Sequence, residues 1–369
     1  QALFADAGTA GFGDHQDWTN YLRVADIDSD GDLDVVFANC GGFFTTPPQA
    51  QPLRVYLNDG SGNLTEGSAI LGSLSMPVRQ ITFGDVDGDG DQDLFAPQAG
   101  TGADKLFISD GAGSLVDEPT RLPAVTSRAG AARFGDVDGD GDLDLLVGDG
   151  YGIGKGSVHA HLYLNDGTGH FSDATGQVPT TTPGYDPDDI DLVDVDRDFD
   201  LDVLINVHAG KSVLWINDGT GNFVDQSDQL PTMPGGNSQF DSPFHYGPAV
   251  CDVDGDGDLD IWVDNVATGY REMLLINDGT GSFTDETSAR VTGNPGTDDN
   301  GLACVDVDDD GDFDAVVMSL SGSVGERVLL NDGTGQFTYQ AGLFPNVGDS
   351  TLWFDFGDLD GDGRLDVVT

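Results

Sequence analysis

Asp136-Val137-Asp138-Gly139-Asp140-Gly141-Asp142-Leu143-Asp144 decides the reading of this chain, and the apolar run Leu145-Leu146-Val147 follows it directly. Aspartate stands at every odd position and glycine at the sixth. Carboxylates alternating through so short a loop can turn their oxygens toward one point, where they repel unless a cation joins them. Oxygen ligands in that number suit calcium, which takes six to eight at flexible geometry. Glycine at position six permits the positive φ that a tight reversal needs.

The stretch recurs, with its first residue at Asp26, Asp85, Asp136, Asp194, Asp252, Asp306 and Asp358. The seven copies are spaced by 59, 51, 58, 58, 54 and 52 residues. A period of that size marks a repeat architecture and outranks any local reading. The candidate metal ligands are the odd positions of each copy. They are Asp26, Asp28, Asp30, Asp32 and Asp34 in the first loop, and Asp85, Asp87, Asp89, Asp91 and Asp93 in the second. Asp136, Asp138, Asp140, Asp142 and Asp144 form the third set, and Asp194, Asp196, Asp198, Asp200 and Asp202 the fourth. Asp252, Asp254, Asp256, Asp258 and Asp260 follow in the fifth, and Asp306, Asp308, Asp310, Asp312 and Asp314 in the sixth. The last loop offers Asp358, Asp360, Asp362, Arg364 and Asp366. Positions one, three, five and nine are expected to give carboxylates and position seven its backbone carbonyl, so Arg364 is tolerable. Phe199 at position six of the fourth loop breaks the glycine rule, which makes that loop the expected weakest and the first to empty.

The charge balance follows from the loops. Formal net charge is −52, from 66 acidic and 14 basic residues. Of the acids, 34 occupy odd loop positions. About seven calcium ions, one per repeat, would bring the charge to about −38. That balance excludes nucleic acid and anionic membrane surfaces as partners, since no basic patch is present to neutralise phosphates. No apolar run reaches the eighteen or so residues of a membrane span, so direct membrane insertion is excluded too. Gln1 would fit a chain that starts after a removed secretion signal. Cys40, Cys251 and Cys304 show no metal or redox spacing. Cys251 and Cys304 lie just before loops five and six on expected buried strands, where packed thiols are the expected state. One disulfide plus a free thiol stays open as the alternative.

Each period carries the same pieces. In the second, strands are expected at Gln80–Gly84, Leu94–Ala96, Lys105–Ile108 and Ser114–Val116. The loop joins the first two, and Ser109-Asp110-Gly111-Ala112-Gly113 joins the last two. Elsewhere that turn begins Asn-Asp-Gly, at Asn58, Asn165, Asn217, Asn277 and Asn331, a strong hairpin signal. No stretch shows a 3.6-residue apolar period, so no helix is expected. Four short antiparallel strands repeated seven times give an all-β, seven-bladed β-propeller, with a calcium loop between strands one and two of each blade. Arg23, Arg133, Asp191 and Asp355 fall three residues before their loops on otherwise apolar strands. Unpaired buried charge is costly, so they are expected to pair or to line a wet central channel. Residues 1–369 read as one domain, with 1–12 closing the last blade together with the C-terminus. Leu3–Asp6 is expected as a strand of that blade, either beside Asp366–Thr369 or, the favoured expectation, with a continuation past Thr369 supplying the missing strand between them.

Phe83-Gly84, Phe134-Gly135 and Phe356-Gly357, with Ala96-Pro97 and the seven Asp-rich loops, resemble the FG-GAP/VCBS repeat propellers, the family of the integrin alpha-subunit head. The resemblance covers essentially the whole chain and implies the propeller and its calcium. It does not imply one function, because such propellers serve as adhesion heads, lectins and enzyme-associated domains alike.

Catalytic signatures are absent: there is no Gly-x-Ser-x-Gly elbow, no His-Glu-x-x-His and no phosphate loop. His159 and His161 share one strand face, as half of a transition-metal site or as a polar strand end. The repeat explains the loop face, so units differ on the opposite one. Candidate ligand-binding residues there are Phe43 and Phe44 in the first blade and Tyr151 in the third. The fifth adds Phe240, Phe244, His245 and Tyr246 on its long entry segment Leu230–Pro248, then Tyr270 and Arg271. His15 and Trp18 enter blade one on the same face. The expected function is an extracellular, secreted or cell-surface calcium propeller acting as a binding or adhesion module for a glycan or protein ligand. Two alternatives remain at this point. One is an extracellular polysaccharide-cleaving lyase or hydrolase using His245 or Tyr246 with Arg271. The other is a structural propeller within a larger surface protein.

Overall fold

The computed structural model describes residues 4–8, 11–13, 15–41, 48–72, 74–150, 156–180, 182–184, 187–207, 212–231, 247–266, 271–345, 348 and 350–369, with the backbone alone at 156–158, 182–184 and 265–266. The fold is an all-β propeller in which the described residues form seven sheets, one for each repeat, antiparallel but for one added strand. In blade two the strands are Thr82–Gly84, Asp93–Ala96, Lys105–Ser109 and Leu115–Asp117, within two residues of the expected bounds. Strand one pairs with two, two with three and three with four, so loop and turn close hairpins at the same end of the sheet. Blades four and five repeat this order from Pro187–Val193 and from Pro248–Cys251.

Three sheets add strands to the basic four. Blade one carries Gln49–Pro52 on its second strand, with Ser75–Met76 beyond it. Blade three adds Thr182–Gly184 to its third strand, and blade six adds Val291–Thr292 parallel to its fourth. Among the described residues, blade seven is formed by Asp355–Gly357 and Asp366–Val368. The chain packs into two compact units. One comprises Ala7–Thr182, Thr220–Asn222 and Phe354–Thr369; the other comprises Gln1–Asp6, Pro183–Gly219 and Phe223–Trp353. Phe4 donates its amide to the Leu343 carbonyl (3.4 Å) and lies 4.7 Å from the Phe344 ring, and residues 4–8 form no strand.

The apolar cores lie between neighbouring blades. Both faces of a middle strand are therefore buried, which is why those strands read as continuous apolar runs. Between blades five and six, Trp262, Leu274, Val317, Leu329 and Phe337 meet, with Trp262 edge-on to Phe337 at 4.8 Å. Phe95, Leu106, Leu145, Val147 and Tyr163 fill the space between blades two and three. Each such side chain contributes about 1.5–3 kcal/mol by leaving water. The Phe-Gly pairs find their reason here. A Cβ on Gly84 would fall 2.8 Å from Leu143 Cδ1, and one on Gly357 would fall 2.8 Å from Leu33 Cδ1. The position-eight leucine of the next loop thus tucks onto the bare glycine. Blade five has Cys251 at that place, and Phe313 of loop six is left 44% exposed.

Two expectations are corrected. Cys251 and Cys304 are not packed thiols but form a disulfide, and Cys40 is the free, buried cysteine. The first strands of blades five and six run side by side, which brings the two α-carbons to 6.3 Å, within bridging range. Burial pushes the Cys40 thiol up to about 11. Short helical turns also exist, at Thr287–Arg290 and, as 3-10 turns, at Ser68–Leu71, Thr175–Gln177 and Ser227–Gln229. Each is a single turn, too short for an apolar period to register.

Candidate metal centres

Each loop is held by its own carboxylates. In loop three, Asp136 accepts the amides of Gly139 (2.8 Å) and Gly141 (3.0 Å), and Asp140 accepts that of Asp142 (3.0 Å). Asp144, 1% exposed, accepts Val137 N at one oxygen and Asn165 N at the other, so position nine ties the loop to the turn of its blade. The same pair of bonds recurs at Asp34, Asp93, Asp202, Asp260 and Asp314. Two positions turn left-handed. Position six does so at Gly31, Gly90, Gly141, Gly257, Gly311 and Gly363, and at Phe199 with φ 71°. Position four does so as well, which the sequence reading missed because Ser29, Arg197 and Asp309 serve there as well as glycine.

This wrapping leaves oxygens pointing at one place. Carboxylate oxygens of positions one, three and nine lie within 4.8 Å of one another in each of loops one to five. The groups include Asp26-Asp28-Asp34, Asp136-Asp138-Asp144 and Asp194-Asp196-Asp202. At position three, the Oδ1 atoms of Asp28, Asp87, Asp196 and Asp254 are buried and accept no hydrogen bond. A buried carboxylate oxygen left without a donor is costly, and a cation at the convergence point supplies what is missing. Burial, then the neighbouring loop aspartates, raises the carboxyls of Asp28, Asp138, Asp196, Asp254 and Asp308 above the usual range. Burial also lifts Asp34, Asp93 and Asp314 to about 6, and Asp144, Asp202 and Asp260 to about 7, against the two amides each accepts. All-oxygen donors with buried, strained charge fit calcium. Positions one, three and nine would hold it.

Position seven has another task. A Cβ on Gly60, Gly167 or Gly279 of the turns would fall 2.5, 2.5 or 2.6 Å from the carboxylate oxygens of Asp32, Asp142 or Asp258. The position-seven side chain therefore lies against the turn of its own blade, and the turn glycines are needed for that approach and for φ near 75°. Arg364, at the equivalent place in blade seven, is exposed.

The turn asparagine stitches blade to blade. Asn165 Nδ2 donates to Leu143 O of its own loop (3.1 Å) and to Val86 O of the preceding blade's loop (2.7 Å). Asn277 does the same to Leu259 O and Val195 O, Asn331 to Phe313 O and Val253 O, and Asn58 to Leu33 O and Leu359 O. Arginines add to two seams. Arg121 reaches Asp87 of loop two (3.2 Å) and the Thr168 carbonyl of blade three (2.7 Å). Arg290 reaches Asp254 of loop five and the Thr334 carbonyl of blade six, each at 3.0 Å.

The remaining candidates divide. Arg23 pairs with Asp355 at 3.7 Å, and with Arg133 they line an open pocket of about 360 Å³ beside Thr82 and Gln92, the polar lining expected of them. His161 pairs with Asp149 (3.3 Å) and stacks on Tyr163, while His159 is exposed, so this strand holds an ion pair rather than half a metal site. The Asp149 bond raises the His161 pKa despite burial. Arg54, Lys105 and Arg327 occupy the matching place in their blades and are likewise paired, with Glu66, Asp117 and Glu272 among their partners. Arg271 is exposed at the start of its strand, and Trp18 is 47% exposed. Phe43, Phe44, Tyr151, Phe240, Phe244, His245, Tyr246 and Tyr270 lie outside the described residues.

Fold and loops together define a repeat propeller with metal-type aspartate loops. The chain belongs to the FG-GAP-like repeat family, whose profile matches residues 26–96, 98–147, 200–263 and 316–369. No curated protein matches the sequence. Among solved structures, a putative 6-phosphogluconolactonase from Bacteroides fragilis is similar in fold, with TM-score 0.57 and 13% identity over 95% of this chain and 87% of that one. BBS1N, solved in complex with ARL6DN and soaked with lead, gives 0.56 and 11% over 99% and 93%. The V. cholerae biofilm matrix protein Bap1 gives 0.43 and 17% over 80% and 43%, too loose a likeness to carry an argument.

Proposed function

We propose that this protein is an extracellular calcium-stabilised propeller that binds a glycan or protein ligand through the face opposite its loops. The observation that carries the calcium reading is the buried, donor-less oxygen at position three in four separate loops. The loop face is occupied by carboxylate wrapping and asparagine stitches that recur from unit to unit, with arginine bridges at two seams. Apart from Val291–Thr292 of blade six, the added strands collect at the other ends of the blades. There the added strand Gln49–Pro52 and the strand Thr182–Gly184 belong to single blades, and Trp18 and Arg271 are exposed. Loops on a rigid scaffold are where binding residues usually sit. The Cys251–Cys304 disulfide favours an oxidising, extracellular setting. Among the described residues no helix is long and apolar enough to cross a membrane.

Two measurements test this. Thermal unfolding with excess chelator should give a lower midpoint than with calcium, and equal midpoints would refute the metal reading. A glycan array probed with calcium-loaded protein should show ligands whose binding falls on Phe244→Ala with Tyr246→Ala while the calcium-dependent midpoint holds. Binding untouched by that double substitution would place the ligand elsewhere.

A further inference from the structure

The seven loops are alike in their acids but not in their cationic neighbours. Four or five residues past the fourth strand, the chain crosses over the turn of the next blade. At that station it carries Arg121 after blade two, Gln177 after blade three, Gln229 after blade four and Arg290 after blade five. Three of the four donate to the carbonyl of the next turn's threonine, while Gln229 Nε2 donates to Gln226 Oε1 (3.4 Å). Arg121 Nη1 donates to Thr168 O (2.7 Å), Gln177 Nε2 to Thr220 O (3.2 Å) and Arg290 Nη1 to Thr334 O (3.0 Å). A Cβ on Gly281 of blade five would lie 3.4 Å from Gln229 Oε1. A neutral amide thus serves this seam as well as a guanidinium does. The arginines do something further: they also pair with position-three carboxylates, Arg121 with Asp87 and Arg290 with Asp254. In both aspartates the paired oxygen is Oδ2, and the buried Oδ1 accepts no hydrogen bond.

We propose that Arg121 and Arg290 set loops two and five apart as a class of weaker calcium sites that stay folded when empty. The inference rests on the calcium reading above. A fixed positive charge on one oxygen of the carboxylate relieves the repulsion among the loop aspartates before any ion arrives. The same charge opposes a divalent cation at the other oxygen. Across one carboxylate, with screening near that of water, the opposition lowers affinity on the order of tenfold. Loop five is the more affected, because Arg197 of loop four also reaches it, at Asp258 Oδ1 (2.6 Å). Among the described residues, loop three has Gln177 and no cation at its seam, so its aspartates keep their negative charge. Phe199 holds the same left-handed turn as the position-six glycines and the loop-four carboxylates still converge, so falling calcium would empty loops two and five first, rather than loop four, while the arginine bridges hold those seams together.

The test follows the chain's own alternation. Calcium is titrated against a chromophoric chelator for the wild type, for Arg121→Gln with Arg290→Gln, and for Gln177→Arg. Wild type should show two equivalents about tenfold weaker than the strong class. The glutamine variant should move loop two into the strong class, bring loop five closer to it while Arg197 still reaches Asp258, and lower the midpoint of the chelated protein more than that of the loaded protein. Gln177→Arg, which brings a guanidinium beside Asp138, should add one weak equivalent. A wild type that binds calcium but keeps its two weak equivalents in the glutamine variant would overturn this inference alone. So would an equal loss of midpoint in the loaded and chelated variants, which is the mark of an ordinary ion pair. A wild type that binds no calcium overturns both readings.

Discussion

Asn165→Ala should destabilise the protein far more than the loss of a turn residue would. The side chain is 7% exposed and makes four hydrogen bonds. Its amide donates to Val86 O and Leu143 O, and its oxygen accepts from Asp166 N (2.9 Å) and Gly169 N (3.0 Å). Alanine strands Val86 O and Gly169 N in buried surroundings, each at about 1–3 kcal/mol, while the half-buried partners regain water. The expected loss is therefore about 3–4 kcal/mol, measured by urea unfolding in saturating calcium. Two further variants separate the seam from the turn. Asn165→Asp keeps the acceptor and a good turn former but loses both donors and sets a carboxylate against two carbonyls. It should cost at least as much as alanine. Asn63→Ala, at an exposed asparagine bonded only to Asp59, should stay within about 0.5 kcal/mol. A loss below about 1 kcal/mol for Asn165→Ala, or a neutral Asn165→Asp, would refute the stitch.

Three other outcomes are expected. Replacing Cys251 and Cys304 by serine opens a crosslink spanning 53 residues, and chain entropy sets the loss at up to about 4 kcal/mol; an unchanged midpoint in non-reducing buffer would mean that the bridge does not form. Phe199→Gly should raise stability by about 1 kcal/mol, since Phe199 holds φ 71° while 93% exposed: strain is removed, little packing is lost, and glycine's extra unfolded-state entropy offsets part of the gain. The His161–Asp149 pair should make stability fall with rising pH. A histidine whose folded pKa is raised stabilises fully below its unfolded value of about 6.5 and loses that contribution as pH climbs through the folded value. In saturating calcium, His161→Gln should flatten the slope between pH 6 and 8, and an identical slope in the variant would exclude the pair as its source.

The sheet order and the loop positions were legible because both are written locally and then repeated. The loop, the Asn-Asp-Gly turn and the runs between them each state a short-range geometry, and seven copies average away the exceptions. What escaped was whatever depends on the neighbouring repeat. Cys251 and Cys304 occupy unequal places relative to their loops, one and two residues before, so a repeat alignment does not pair them. They meet because strands of adjacent blades are offset. The helical turns after the fourth strands escaped for the opposite reason, being too short for any period.

The loop chemistry was legible only in part, and the missing part again lies between blades. Reading Asn165 as a turn former was correct as far as it went, but its second carbonyl belongs to Val86, 79 residues earlier. Position seven was assigned to the metal through its carbonyl, yet its carboxylate faces the turn glycine, a contact made within the blade by residues 25 apart in Asp142 and Gly167. The arginines were the most recoverable omission. A chain with only 14 cations against 66 acids has few to spare, and two of them sit at one repeat station where two other blades write glutamine. Glutamine and arginine share the ability to donate to a carbonyl and differ in charge. An alternation between them at a fixed station therefore points to a place where the bond is general and the charge is local. That place lies beside the position-three carboxylate, where a charge alters metal binding and a neutral amide does not.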